Sequence, residues 1–384
     1  MSKKIRVAIF FPVIPNYKLP FLQRLADIPD LDVTCFHGMG KKGYSAPSTG
    51  THLPVKSIWM KNYYWPFWGC RILWQSPIRK LLQGPYDIII CHEVIHNPAN
   101  WALYALKSFH KKKLIAYGFG YRQKTLPRYI EIIHNYLRGI LLRRADAVIV
   151  YTDRGRQECI EGGLKSDKIF VINNTLDTEY LMSLERDIKP QELDITRERY
   201  NLSRRPVLLY VGRLIPPKQT EVLIEAFRHL RDNPLKPTLL IVGEGMEYKS
   251  LLKRSEGLEG VHLLGPIYDD RELAKIFLVS DLLVIPGGVG LTCIHGFSYG
   301  VPIVTTGHGL KQSPEFDYIK HEENGYIVNL PRAELYADAI AYLLNNPDRL
   351  KSMRAKARQT AQSLTMNHMV SQFVNAVKYA DIKE

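Results

Sequence analysis

Short apolar runs alternate with longer amphipathic stretches along most of the 384 residues. In the first half these runs are 6–11, 31–36, 86–91, 113–117, 147–151 and 169–172. In the second half they are 207–211, 238–242, 261–264, 282–285 and 302–305. Each is nearly continuous in β-branched and other apolar residues, the pattern of a strand covered on both faces, as in parallel sheets. Helix-period stretches such as 221–231 and 271–279 lie between them. Two successive sets of βα units predict an α/β chain with two Rossmann-like, doubly wound parallel-sheet domains. The charged stretch LERDIKPQELDITRERYNLSRR, 184–205, has no strand pattern and marks the boundary. It sets the first domain at 1–184 and the second at 185–366, with a terminal helix over 367–384 joining the first.

The length agrees with two domains of ordinary size. No apolar run reaches the ~18 residues of a membrane span. The basic start, 1–6, runs straight into a strand pattern, so no signal peptide is expected. The five cysteines are scattered without a C-x-x-C, which points to reduced thiols in the cytoplasm rather than a disulfide framework or zinc site. Charge changes the picture more. Of the net +14, residues 1–180 hold 26 Lys and Arg against 13 Asp and Glu, while the remainder is nearly balanced. An anionic partner is expected for the first half, and no nucleic-acid motif is present.

Candidate chemistry in the second half gathers after the strands, where open α/β sheets bind ligands. The segment VLLYVGRLIPPK places Gly212, Arg213 and Lys218 at one strand end. A guanidinium fork and a point charge there suit a diphosphate. LLIVGEG places Gly243, Glu244 and Gly245 at the next. DLLVIPGGVGLTCIHGFSYGVP then offers Gly287, Gly288, Val289 and Gly290, with a helix beginning near Leu291 whose free N–H groups suit a phosphate. His295 follows, either a ribose contact or a structural histidine.

In this order the segments resemble family 4 of the GT-B glycosyltransferases. The resemblance rests on Gly212-Arg213 with Lys218, Val242-Gly243-x-Gly245, Ser280-Asp281, the glycine loop, Gly300-x-Pro302, and Glu315 ahead of Asn324-Gly325. It extends weakly to Ala145-Asp146, Lys168-Ile169, Asn173-Asn174 and Asp177. It implies an active site in a cleft between the two domains, with Arg213 and Lys218 on the donor diphosphate as the catalytic pair. Gly212, Gly243, Glu244, Gly288, Val289, Gly290, Leu291, His295 and Glu315 would bind the rest of the donor. It also implies retention of configuration and no metal or other cofactor. The family's two glutamates, seven residues apart, are replaced here by Gly287 and His295.

In the first half, Asn16, Tyr17 and Lys18 follow the first strand, with a helix starting near Pro20. CHEVIHNP brings His92, Glu93, His96 and Asn97 to another strand end; it lacks the H-E-x-x-H order of a metal site, so acceptor binding or helix capping is expected. Tyr121 and Arg122 close GFGYR and suit a glycan with negative charge. Asp30-Leu31-Asp32 opens a strand and is a poor metal site. Two segments fit a membrane surface: the aromatic KNYYWPFWGCRILWQ and the basic amphipathic RYIEIIHNYLRGILLRR. The expected protein is a peripheral enzyme on the inner face of a bacterial cytoplasmic membrane. It would move a sugar from a nucleotide sugar to a hydroxyl of a lipid-linked glycan. The alternatives are a GT-B sugar-nucleotide epimerase, for which the first half offers mainly Glu93, and a non-catalytic nucleotide-sugar-binding protein.

Overall fold

The structure is a computed structural model, and it describes residues 4–39, 53–67, 70–75, 78–93, 95–120, 128–202, 205–307 and 312–382. The chain forms two compact units, Met1–Asn174 with Met366–Glu384, and Thr175–Thr365.

The first unit contains β1 (Ile5–Phe10), α1 (Leu19–Ala26), β2 (Leu31–Gly38), β3 (Lys56–Met60), β4 (Asn62–Phe67), β5 (Cys70–Gln75), α2 (Ile78–Gln83) and β6 (Ile88–His92). It continues with α3 (Pro98–Ala105), α4 (Lys107–His110), β7 (Lys113–Gly118), α5 (Arg128–Arg144), β8 (Ala147–Val150), α6 (Asp153–Glu161) and β9 (Ile169–Val171). Seven strands form a parallel sheet in the order β3-β2-β1-β6-β7-β8-β9. The winding reverses between β1 and β6, which puts a crevice beyond Phe10 and His92.

The second unit contains α7 (Thr178–Asp187), α8 (Pro190–Arg199), β10 (Val207–Val211), α9 (Thr220–His229), β11 (Thr238–Val242), α10 (Tyr248–Ser255) and β12 (Val261–Gly265). It continues with α11 (Asp270–Leu278), β13 (Leu282–Val284), α12 (Thr292–Ser298), β14 (Ile303–Thr306), β15 (Gly325–Val328), α13 (Ala333–Leu344) and α14 (Pro347–Ser363). Its parallel sheet runs β12-β11-β10-β13-β14-β15, with the reversal between β10 and β13. Helices cover both faces, so β10, β11 and β13 are buried almost throughout.

α15 (Met366–Ile382) returns to the first unit. Met366, Met369, Phe373, Ala376, Val377 and Ala380 repeat at helical spacing and are buried in its core. Phe373 meets Phe21 of α1 edge to face, with ring centroids 5.3 Å apart.

Every predicted strand is present within a residue or two. Four strands are additional: β3, which is largely exposed rather than running apolar, the pair β4 and β5, and the short edge strand β15. The 184–205 stretch is mainly the end of α7 and all of α8, inside the second unit rather than between units. The aromatic segment is a hairpin, β4 against β5, separate from the main sheet.

Several motif residues hold the fold. Asp87, Asp146 and Asp281 each precede a strand and accept the amide of the neighbouring strand's start, from Arg6, Leu114 and Val207 at 2.9, 2.7 and 2.9 Å. Lys168 donates to the carbonyls of Leu142, Arg143 and Ala145, closing the carboxyl end of α5. Asn324 accepts from the Lys320 amide and donates to Tyr318 and Thr360, fixing the turn into β15. Asp32 pairs with Lys56 across β2 and β3.

Candidate active site

In the second unit the loops after β10, β11 and β13 are bonded to one another. The Gly212 amide donates to the Val242 carbonyl (3.0 Å) and the Leu214 amide to the Glu244 carbonyl (2.8 Å). A Cβ on Gly243 would lie 1.9 Å from the Gly212 carbonyl oxygen, at a φ of +146°, so a side chain is excluded there. The Gly287 amide donates to the Lys218 carbonyl (3.3 Å), and Lys218 Nζ donates to the Gly288 carbonyl (2.5 Å). Gly288 has φ +58°, and a Cβ would press on the Pro217 carbonyl at 3.0 Å.

This framework brings Arg213 and Lys218 together. Arg213 is exposed, and its carbonyl accepts from the buried Tyr210 hydroxyl (3.0 Å). Burial, then repulsion from Arg213, pulls the Lys218 ammonium down to about 8, while Glu315 and Cys293 oppose the fall. A desolvated ammonium beside a guanidinium is short of negative charge, and a bound diphosphate would restore the balance.

The rest of the loop is held from beneath. The Val289 amide donates to Gln312 Oε1 (2.8 Å), whose Nε2 donates to the Thr306 carbonyl (2.7 Å). Gln312 carries no motif signal, and its role was not legible in the sequence. Gly290 lies next to Leu291, which caps α12. Glu315 is buried, and its carbonyl accepts from the Cys293 thiol. The Glu244 carboxylate accepts from the Tyr268 hydroxyl (2.5 Å). His295 has a different setting from its neighbours. Its ring packs on Phe277 of α11 (4.6 Å) and on Tyr299 (5.7 Å), and its Nε2 is buried without a partner. Burial pushes its imidazole down to about 4.

In the first unit, Asn16, Tyr17 and Lys18 form a 3-10 turn after β1. Lys18 is buried and donates to the Tyr117 hydroxyl (3.0 Å) and to Asn174 Oδ1 (2.9 Å). Its ammonium lies 5.5–5.7 Å from the rings of Tyr17, Phe21 and Tyr117. A small cavity there also takes in His92 and Tyr151, at the ends of β6 and β8. Tyr117 and Tyr151 were not among the expected site residues, because strand order alone brings them to Lys18.

His92 meets Phe11 edge to face (5.7 Å), and burial pulls its imidazole down to about 4. Glu93 is buried and accepts from the amides of Phe119 (2.6 Å) and Gly120 (3.0 Å), so its carboxylate clamps the loop after β7. Burial still raises it to about 7. Of the polar groups in this segment, Asn97 caps α3 by accepting from the Ala99 amide. Tyr121 and Arg122 lie outside the described residues.

Comparison with known proteins covers both units. The model for glycosyl transferases group 1 matches residues 194–360, and that for glycosyltransferase family 4 matches residues 23–180. A 41.2 kDa protein of the cps region of Klebsiella pneumoniae is 25% identical over 234 residues, 59% of this chain and 62% of that protein. A GDP-mannose-dependent phosphatidylinositol monomannoside mannosyltransferase of Mycobacterium tuberculosis is 29% identical over 181 residues. That match covers 43% of this chain and 46% of the mannosyltransferase. The matched stretches thus leave more than a third of each relative unmatched. Anabaena HepE, solved with UDP, superposes with a TM-score of 0.71 at 17% identity over 98% of this chain and 99% of that one. A Rickettsia africae glycosyltransferase superposes at 0.74, 17% identity and full coverage of both chains. Two family models that together take in both Rossmann-like units, on a fold shared with these enzymes, establish that the chain belongs to the group 1, family 4 glycosyltransferases of the GT-B fold.

Proposed function

We propose that the chain moves a sugar from a nucleotide diphosphate sugar to a hydroxyl of a glycan acceptor. We take the reaction to retain anomeric configuration, to need no metal, and to occur at an anionic membrane surface. The observation that carries this reading is the pair of bonded loops after β10 and β13, which hold Arg213 and Lys218 at one strand end. As the sugar departs, negative charge builds on the diphosphate, and fixed cations in a partly dry site stabilise it. They supply what a divalent ion supplies in metal-dependent transfer. Retention rests on the family resemblance. The Anabaena protein of this fold was also solved with UDP-glucose, which supports a nucleotide sugar as donor.

Two exposed faces of the first unit support the membrane surface. α5 exposes Tyr129, Ile132, Ile133 and Tyr136, a stripe at helical spacing, with Arg143 and Arg144 exposed at its end. The hairpin exposes Tyr63, Trp65 and Trp74, with Lys61 Nζ 5.2 Å from the Tyr63 ring. Aromatics and cations suit the lipid headgroup region.

Arg213→Ala and Lys218→Ala should each lower transfer by ~10²-fold or more, comparable to losing one transition-state donor. Melting curves with a panel of nucleoside diphosphates and their sugars select the donor for that assay. Near wild-type turnover in both variants would overturn the reading. A second reading, nucleotide-sugar binding without turnover, is favoured by Gly287 and His295 at the family's glutamate positions. It predicts a thermal shift with the right nucleotide sugar and no product.

A further inference from the structure

Arg138 lies on the inward face of α5 at 4% exposure, and its Nε and Nη1 are shut off from solvent without a hydrogen-bond partner. A buried guanidinium in that state is costly unless something completes it. Its neighbours do not. His134, one turn earlier, is buried with its Nδ1 also unpartnered. The His134 ring lies 4.9 Å from that of His96, and His92 Nδ1 is buried without a partner. The positive field of Arg138 acts on His92, His96 and His134 alike. The nearby carboxylate is Glu93, and its oxygens are engaged by the Phe119 and Gly120 amides. No ion pair joins it to Arg138 among the described residues. The centre therefore holds the Arg138 guanidinium and three imidazoles around unfilled hydrogen-bonding capacity, with Lys18 also acting on His92 from the adjoining cavity. His92 and His96 are half-buried.

We propose that this cluster, where α5 packs against α3, binds a phosphate group of the acceptor, held by the Arg138 fork together with His96 and His134. A tetrahedral oxyanion accepts several N–H bonds at once and matches a guanidinium edge, which a neutral sugar hydroxyl does not. The exposed apolar stripe of α5 lies on the opposite side of the helix from Arg138. One face of the helix can thus rest on lipid while the other faces the phosphate. The identity of the ligand as acceptor rests on the transferase reading above; the anion site itself does not.

The test uses the full chain carrying Arg213→Ala, so that the donor site is silent. Inorganic pyrophosphate, glycerol 1-phosphate, and vesicles of phosphatidylcholine with or without phosphatidic acid are added, and melting temperature and calorimetric affinity are read. The expected result is a saturable rise of several degrees that Arg138→Met abolishes, with Arg138→Lys at least tenfold weaker in affinity. Without ligand, Arg138→Met should melt no lower than its parent, because it removes an uncompensated charge. If Arg138→Met does not fold, His96→Ala and His134→Gln serve instead, each weakening the anion several-fold. A response to the soluble phosphates identifies a free phosphate ester. A response only to phosphatidic acid, lost in Arg138→Met, identifies a lipid. Absence of any response, or an equal response in the Arg138 and histidine variants, overturns the site. The transferase reading fails separately, if the wild-type chain transfers no sugar from any nucleotide sugar while the phosphate response persists.

Discussion

His295 stands where the family's glycine loop has its second glutamate, and its surroundings define its behaviour. Its ring packs at a tilt against Phe277 and Tyr299, which themselves stack on each other, and it contributes packing of the order of 0.5–1.5 kcal/mol per aromatic contact. His295→Ala should therefore lower the melting temperature by roughly 2–6 °C for a unit of this size, with nucleotide affinity changed little. His295→Glu should cost more, since it buries a carboxylate among rings. The imidazole also makes the unit acid-sensitive. Its value is about 4 in the fold against 6.5 free, so between these pH values the unfolded chain binds the proton and the folded chain does not. Stability from this residue is complete above pH ~6.5 and is lost as pH falls towards 4. His295→Phe keeps the ring contacts and should flatten that part of the profile, measured by melting between pH 4 and 7. An unchanged acid profile would show that the ring titrates freely. What the sequence made legible at this scale was the identity of the cations and glycines, since their chemistry is local. The convergence of Lys18, Tyr117 and Asn174 was not legible, because it depends on which strands become neighbours.

At the scale of elements, α5 was legible at its full length, 128–144, from its amphipathic pattern. The hairpin was not. Its strands carry Pro66 and dense aromatics, and a proline argues against a central strand. Here the strand belongs to an isolated two-stranded ribbon, where a missing N–H is tolerated. β3 and β15 escaped notice because edge strands need not be apolar throughout. The membrane reading belongs to these elements. The chain should bind vesicles containing anionic lipid and release them as salt rises from 0.1 to 0.5 M, where surface charges are increasingly screened. Ile133→Asp, in the middle of the exposed stripe, should weaken that binding by about tenfold, as expected when an apolar side chain stops burying and a charge opposes anionic lipid. Its nucleotide-induced melting shift should be unchanged. Equal, weak sedimentation with neutral and anionic vesicles would set the membrane role aside.

At the scale of the molecule, the two units divide chemistry and charge. The excess of Lys and Arg sits in residues 1–180, while the bonded glycine loops sit in the second unit. The units also differ in how the chain builds them. The second is a continuous segment, 175–365, and the first is completed by α15 from beyond it. Removing 366–382 would strip Met366, Met369 and Phe373 from one core and leave the other intact. That arrangement has a consequence for synthesis on the ribosome. Domains usually acquire structure in the order they emerge, at about 5–20 residues per second. Here the order is inverted: the second unit has all its residues before the first unit has its last helix. Protease challenge of stalled nascent chains should find 175–365 resistant while 1–174 is still cut, until α15 emerges. In the interval the first unit shows the patch that α15 will cover, so this part of the nascent protein is the one that trigger-type chaperones should engage.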